Sequence, residues 1–507
     1  MSTGTPPASS PEPSRSIRWR VALALLLTVA FYALVLLTLA ALVAIPVGLY
    51  IARGTVSPFI AVACGTSAFV LLRALWSVRG AYTAPGPELT RAAQPRLFAL
   101  LDDVAARCEQ RPVDRVHLTL DLNAGVLEHR GDRILHLGHG LMSVLEPDEL
   151  RAVMAHEHGH HAGGDTRLVH WTWRTEASAV ATVQHLAASG SRIIRWPFQL
   201  YAMLLLRITS RVSRRAEFLA DRFAAQRTSA DALGRALTRL ASDSGVFDGY
   251  LASDLSAMTA AGLLPPVDRG FAMVLASPDM AEYRADALRD RVDDTDDPYA
   301  SHPTYAARMA ALGQAVPVAP LPPSTHPVVE LLDDLRALER QLVDHVRGPR
   351  DEPLRDAEWD DAGRAQLAAA DRATTSCELW VDPTLRVMDA SDAIRDEDDA
   401  VRRLRAAFPE DSQAPDEYLA HVARSAYIGL AVVGLAGAGA AVTGPPGEPV
   451  RLWYEGAMLE PFSLLNAVVA GEADPSSWSD HPIVAALGRG PLAPDGRCAP
   501  RVGAPVA

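Results

Sequence analysis

At 507 residues, with 49% apolar side chains and a mean hydropathy of +0.06, the chain has length for two or three domains and is apolar for a soluble enzyme. Its net charge of −13, with arginine as every basic residue and no lysine, excludes the broad basic surface that nucleic acid requires. Cys64, Cys108, Cys377 and Cys498 lie far apart with no C-x-x-C pair, which excludes a disulfide framework or a cysteine zinc site and fits a reducing compartment.

Residues 1–17 are rich in Ser, Pro and Thr and read as a disordered tail. From Val21 to Tyr50 no residue is charged. A helix of about thirty residues reaches about 45 Å, more than the roughly 30 Å of a hydrocarbon core, so this segment is expected to span a bilayer. It is too long for the apolar core of a cleaved signal peptide. Val56 to Leu72 is again uncharged, and residues 18–80 together predict a transmembrane hairpin. Arg15, Arg18 and Arg20 precede the hairpin and Arg73, Arg79, Arg91 and Arg96 follow it, with only Arg53 between its arms. The positive-inside rule then assigns both ends to the cytoplasmic side of the cell membrane.

Ala84-Pro-Gly-Pro87 breaks the chain before an amphipathic helix from about Arg91 to Glu109. Strands are expected at Val116–Leu120 and Arg133–Leu137, with Asn123-Ala124-Gly125 interrupting between them. Residues 177–208 are apolar but carry His185, Arg192, Arg195 and Arg207. Each half is short for a span, so they read either as a second membrane hairpin or as buried or membrane-skimming helices. Pro197 is the expected start of a long helix through Glu217 and Asp221. Helices continue to about Leu312, broken by a solvated acidic loop at Asp293–Asp297.

Residues 314–349 read as a Pro-rich linker followed by an amphipathic helix marked by Val328, Leu331, Leu335, Leu338, Leu342 and Val346. Residues 350–507 carry no recognisable motif and have no assigned role. Within them Tyr427–Thr443 is uncharged and crowded with Gly and Ala, which fits a buried helix better than a third span. The fold class expected is mainly α with a small β-sheet, α+β, behind an N-terminal transmembrane hairpin.

The chemistry concentrates in Glu149–His161. His156-Glu157-x-x-His160 puts two imidazoles one helical turn apart on one face, where they can share a tetrahedral Zn²⁺. Glu157 points off that axis, toward the open metal position where a general base belongs. The pattern is short enough to arise by chance on a solvated helix, yet five of 15 histidines (156, 158, 160, 161 and 170) fall within fifteen positions. Pro147 and Asp148 suit a helix start, and Leu150, Val153 and Met154 form an apolar stripe. A half-buried helix with this polar load needs a partner for it, and a metal is the simplest one. A third ligand must come from elsewhere: Glu217 is the candidate, with Asp221 one turn on to orient an imidazole. On spacing alone, Glu217 and Asp221 pair equally well with nearby arginines.

His156-Glu157-x-x-His160-x₄-Asp165, followed by Ser213-Arg214-x-x-Glu217-x₃-Asp221-x-x-Ala224, resembles the membrane zinc metallopeptidases of the HtpX and CAAX prenyl protease type. Asn123-Ala124, Gly140-Leu141, Asp148-Glu149-Leu150 and His302-Pro303-x₄-Arg308 extend the resemblance over roughly residues 19–313. It implies a gluzincin-type metallopeptidase domain, bounded here as 81–313, with one Zn²⁺ held by His156, His160 and Glu217. Glu157 would be the catalytic base and Asp165 and Asp221 would support the ligands. Asn123 and Ala124 would lie on the strand beside the substrate cleft, with Arg308 in the late element.

His302 would lie close to the metal, stabilising an oxyanion or masking the site; His326-Pro327 and His481-Pro482 compete for that assignment. His158 and His161 read as bystanders. The activity implied is hydrolysis of peptide bonds in a protein substrate, in turnover of membrane or misfolded proteins. A regulator-cleaving sensor protease and a latent scaffold that keeps a zinc site are the alternatives. The partners expected are a peptide or protein substrate and the lipid bilayer, with no nucleic acid.

Overall fold

The computed structural model describes residues 15–77, 82–162, 178–187, 192–295, 297–348, 352–374, 380–408 and 414–492. The chain opens with two apolar helices, α1 (Arg15–Arg53) and α2 (Pro58–Ser77). There follow β1 (Glu88–Leu89), α3 (Pro95–Arg107), β2 (Arg115–Thr119), β3 (Ala124–His129), β4 (Asp132–Gly138), α4 (His139–Val144) and α5 (Pro147–Ala162). Next come α6 (178–187), α7 (Arg192–Arg227), α8 (Ala230–Tyr250) and α9 (Ser256–Ala260). Strand β5 (Leu263–Leu264), α10 (Val267–Ala276), α11 (Pro278–Asp293), α12 (Tyr305–Ala311), α13 (Leu335–Arg347) and β6 (Arg355–Asp356) complete the N-terminal portion. Beyond it lie α14 (Ala362–Thr374), α15 (Ala390–Arg395), α16 (Glu397–Ala407), α17 (Asp416–Gly437) and a three-stranded sheet, β7 (Ala441–Thr443), β8 (Arg451–Tyr454) and β9 (Ala457–Leu459).

By length and composition α1 can cross a membrane, with a mean hydropathy of 2.6 over its apolar part. Leu27, Phe31 and Val35 of α1 pack with Leu71 of α2, Ala179 and Leu186 of α6, and Phe198, Ala202 and Leu205 of α7. Thus the apolar stretch 177–208 joins the N-terminal helices in one cluster. Its helix α7 starts at Arg192, five residues ahead of the expected Pro197, which sits near enough to the helix start that only an early-turn hydrogen bond is lost.

The N-terminal portion is built on a four-stranded sheet ordered β1-β2-β4-β3. Strands β2 and β4 run parallel, and β3 lies antiparallel to β4 at the edge. Alternation marks β2 and β4; β3, whose Gly125, Glu128 and His129 are weak strand formers, is signalled only by the resemblance, which puts Asn123 and Ala124 on a strand. What makes β3 is the turn: Arg130 and Gly131 both take positive φ, 54° and 97°, the two-residue geometry that folds a strand back on its neighbour. Leu97, Leu100, Leu101 and Val104 of α3 share a core with Val116, Leu118, Leu135 and Leu137 of the sheet and Leu150 and Met154 of α5.

Two further expectations need correction. The helix predicted across Val328–Val346 is a 3₁₀ turn at Val328–Leu331 and a separate α13, divided at Asp334, whose φ of 53° no α-helix accommodates. The Pro-rich stretch before it is tied into the fold: Arg284 donates to Leu321 O at 2.8 Å and Arg239 to Pro322 O at 2.8 Å.

The C-terminal portion has its own apolar core, with Trp478, Leu435, Leu452 and Ile483 fully buried or nearly so. As its composition suggested, α17 is a packed helix of this core; it ends at Gly437, and 441–443 turns into β7. The seam with the N-terminal portion runs through β5, α9 and α10. Trp359 Nε1 donates to Pro266 O at 2.8 Å, and Ser277 Oγ to Gly447 O at 2.7 Å.

Candidate active site

Helix α5 is fixed at its start by charge. Glu149 is fully buried, accepts from Glu146 N at 2.9 Å as a capping residue, and takes Arg239 Nε at 2.9 Å and Arg235 Nε at 3.1 Å from α8. Leu150 and Met154 enter the core, so the face one turn on, carrying His156 and His160, turns toward α7. Gly159 allows the approach. A Cβ there would lie 2.9 Å from the Cα of Ala220, so the two backbones touch only because residue 159 has no side chain.

That contact brings Glu217 of α7 over the histidines. His156 Nε2 and His160 Nε2 lie 3.1 Å apart, and they are 3.5 Å and 3.6 Å from Glu217 Oε2 and Oε1. Ligands of a tetrahedral zinc ion at about 2.05 Å are separated by about 3.3 Å. These three donors therefore already have the spacing a zinc ion imposes, and their chemistry, two imidazoles and a carboxylate, fits it. Asp221 Oδ1 lies 2.8 Å from His156 Nδ1, which turns Nε2 of that ring toward the other donors. Glu157 also falls within reach of both imidazoles. Its Oε2 accepts the N–H of Val126 on the edge strand β3 at 3.2 Å.

From the other side, the loop before α12 delivers His302, whose Nδ1 is 3.1 Å from Glu217 Oε1. Arg308 of α12 forks onto Asp221 at 2.9 Å and 2.6 Å and lies 3.6 Å from Glu217 Oε2. Burial pushes the Glu157 carboxyl above its ordinary range, against the opposing pull of His156 and of the Val126 N–H. Burial would raise Glu217 too, but the His302 hydrogen bond and the Arg308 and His156 charges outweigh it and hold that carboxyl at about 2. Burial, with His156 beside it, brings His160 down to about 4, so its ring is neutral and able to ligate at neutral pH. The set is an anionic carboxylate, neutral imidazole and a protected carboxyl base around one point, an arrangement suited to a metal and a water.

Of the residues singled out in the sequence, His156, Glu157, His160, Glu217, Asp221, His302 and Arg308 are brought together. Asp165 lies outside the described residues. Asn123 is exposed at the head of β3, its Oδ1 accepting from Ala124 N at 2.9 Å. His326 is near Glu330, and His481 accepts from Ile483 N at a helix start, so neither competing His-Pro pair is at the site. His161 faces Glu128, 4.0 Å away, on the β3 side. Two participants escaped the sequence reading. The Val126 N–H leaves no side-chain signal, whereas Gly159, a glycine inside an apolar-striped helix, was a readable sign of close backbone approach.

Residues 95–316 match the sequence profile of peptidase family M48. The chain is 31% identical over 179 residues to the protease HtpX of Pseudomonas savastanoi pv. phaseolicola, 31% to that of Pseudomonas syringae pv. tomato and 32% to that of Pseudomonas entomophila. Each match covers 32% of this chain and 59% of the relative, so the chain spans about three fifths of the length of the curated relatives it matches.

Proposed function

We propose that this chain, whose residues 95–316 match peptidase family M48 and which is similar to HtpX proteases, is a membrane-anchored, zinc-dependent endopeptidase. The observation that carries the reading is the convergence of His156, His160 and Glu217 at tetrahedral-edge distances, with Glu157 beside them. Those three would hold one Zn²⁺, with Asp221 orienting His156 and Asp165 supporting the ligands. Bound there, zinc supplies Lewis acidity that lowers the pKa of a water and polarises a carbonyl.

The chain's own groups do the rest. Glu157 takes the proton of the attacking water and passes it to the leaving amine. Among the described residues β3 is an edge strand with its Val126 N–H on Glu157, so an extended peptide can lie along it, past Asn123 and Ala124, with its scissile bond near Glu157. His302 is exposed and reaches Glu217 in this state; with peptide present it is placed to donate to the developing oxyanion. Arg308 holds Asp221, and through it the aim of His156, and lines the same side of the cleft.

The working unit is a membrane portion, 18–80, and the metallopeptidase domain, 81–313, facing the cytoplasm at the cell membrane. Helix α6 and the first half of α7 pack with α1 and α2 and belong to the membrane portion. The chemistry suits turnover of membrane or misfolded proteins. The test is Glu157→Gln in the full chain. Zinc content should stay at one per chain while cleavage of casein falls by about a hundredfold to ten-thousandfold. Cleavage by that variant at the wild-type rate would overturn the mechanism.

A further inference from the structure

We propose that the outward face of α7 is a binding surface for anionic phospholipid headgroups, one that steadies the helix carrying Glu217. This rests on the membrane anchoring proposed above. Trp196, 65% exposed, starts an exposed apolar band that continues through Leu200, Met203 and Leu204. At Arg207 the same band changes to charge: Arg207, Arg211 and Arg215 follow at steps of four and all three are exposed. None of the three has an ion-pair or side-chain hydrogen-bond partner among the described residues, whereas neighbouring Arg214 donates to the Asp297 backbone carbonyl at 2.8 Å. A chain of net charge −13 thus exposes a purely cationic stripe in direct continuation of a lipid-facing one.

Packing sets its depth. Phe31 of α1 stacks near Phe198 and Tyr201, and the Tyr201 hydroxyl donates to Leu27 O. Moving forward along α7 therefore means moving back along α1. From Tyr201 to Arg207 is about 9 Å, and from Leu27 back to Arg20 about 10 Å, so Arg207 is level with the start of the uncharged run of α1. The headgroup layer beyond that level is roughly 5–8 Å thick. Arg207 and Arg211 fall inside it, and Arg215 reaches its outer rim with a long, flexible side chain. Charge complementarity calls for an anion, and continuity with the exposed apolar band selects a lipid phosphate over an acidic protein. Because Arg215 is two residues before Glu217, headgroups gripping the stripe fix the rotation of the ligand-bearing turn.

The experiment uses the full chain with Glu157→Gln, so that no turnover occurs, reconstituted in phosphatidylcholine vesicles doped with pyrene-labelled phosphatidylglycerol or pyrene-labelled phosphatidylcholine. Tryptophan-to-pyrene energy transfer reads which lipid is enriched at the protein. The expected result is preference for phosphatidylglycerol that weakens with salt and drops about fivefold for each arginine replaced by glutamine in R207Q, R211Q and R215Q. Lysine at the same positions should keep most of it. Equal transfer from both lipids, or preference unchanged in the triple glutamine variant, would overturn the headgroup surface while leaving casein cleavage by wild type untouched. A triple variant that keeps its lipid preference but no longer retains casein would assign the stripe to protein docking instead. Failure of the chain to float with any vesicle would overturn membrane anchoring and this surface together.

Discussion

The two cores of this chain are made of different material. The first buries His139, Glu149, Arg239, Asp243, Arg284 and Glu339 along with its apolar residues, and each is tied to an opposite charge or a carbonyl. In the second, Ser391 is the one buried polar residue among the described residues 380–492, and the ion pairs, such as Arg403 with Asp399 and Arg451 with Glu460, lie at the surface. Buried ion pairs are a poor source of net stability, because desolvation consumes most of what attraction returns. Their use in only one half points to positioning. In the half that carries the candidate site these pairs tie α8 to α5 and to α11, and α4 to α13, and directional contacts set separations that apolar packing leaves loose.

Four substitutions put this contrast under strain. Glu217→Ala should act hardest, removing bound zinc and lowering peptide cleavage about a thousandfold or more, read by metal analysis and turnover on one preparation. Retention of stoichiometric zinc would refute the donor set. Glu149→Ala leaves Arg239 buried without its carboxylate and should cost about 3–5 kcal/mol of stability, seen as a lower melting temperature with loss of metal. Trp478→Ala should cost the second core a similar ~3–5 kcal/mol through cavity formation. There the difference appears: zinc binding should survive it, and if metal and C-terminal structure are lost together the two cores are one cooperative unit.

Asp399→Asn should do least. Hydrogen bonds from Arg402 and then Arg403 hold the Asp399 carboxyl below its ordinary range, against a small opposing effect of burial. A carboxylate depressed in the folded state adds stability above its unfolded pKa of about 3.9, and the gain disappears as pH falls through the folded value. Being exposed and screened, it should be worth no more than about 1 kcal/mol at neutral pH, and denaturation of variant and wild type should converge at low pH and at high salt. A larger effect would mean that the second core also depends on charge.

Side-chain pattern and turn residues made α5, the apolar helices α1 and α2 and strands β2 and β4 readable from sequence, because each is marked by the local chain alone; of the two apolar helices, only α1 is long and apolar enough to cross a membrane. Glu217 was reachable only as a residue of the right kind on a separate helix, and Asp221 could as well have paired with arginine. In the fold it does both, meeting His156 and Arg308 at once. The extent of β3 and the break at Asp334 were hard to read because positive φ at Arg130 and Asp334 is a tertiary demand on non-glycine residues, although Gly131 beside Arg130 does mark the turn. The second core left no motif since packing of Leu, Val, Ala and Trp has no signature beyond composition.

The bare backbone contact at Gly159 leaves the candidate metal site little tolerance. Its donors sit on two rods, two imidazoles on one and a carboxylate on the other, so any swelling at 159 or 220 displaces the donors as blocks. Rotating a single side chain cannot restore three distances at once. The spacing of the candidate metal donors is thereby a readout of one interhelical distance, and whatever shifts α7 against α5 moves Glu217 relative to both imidazoles.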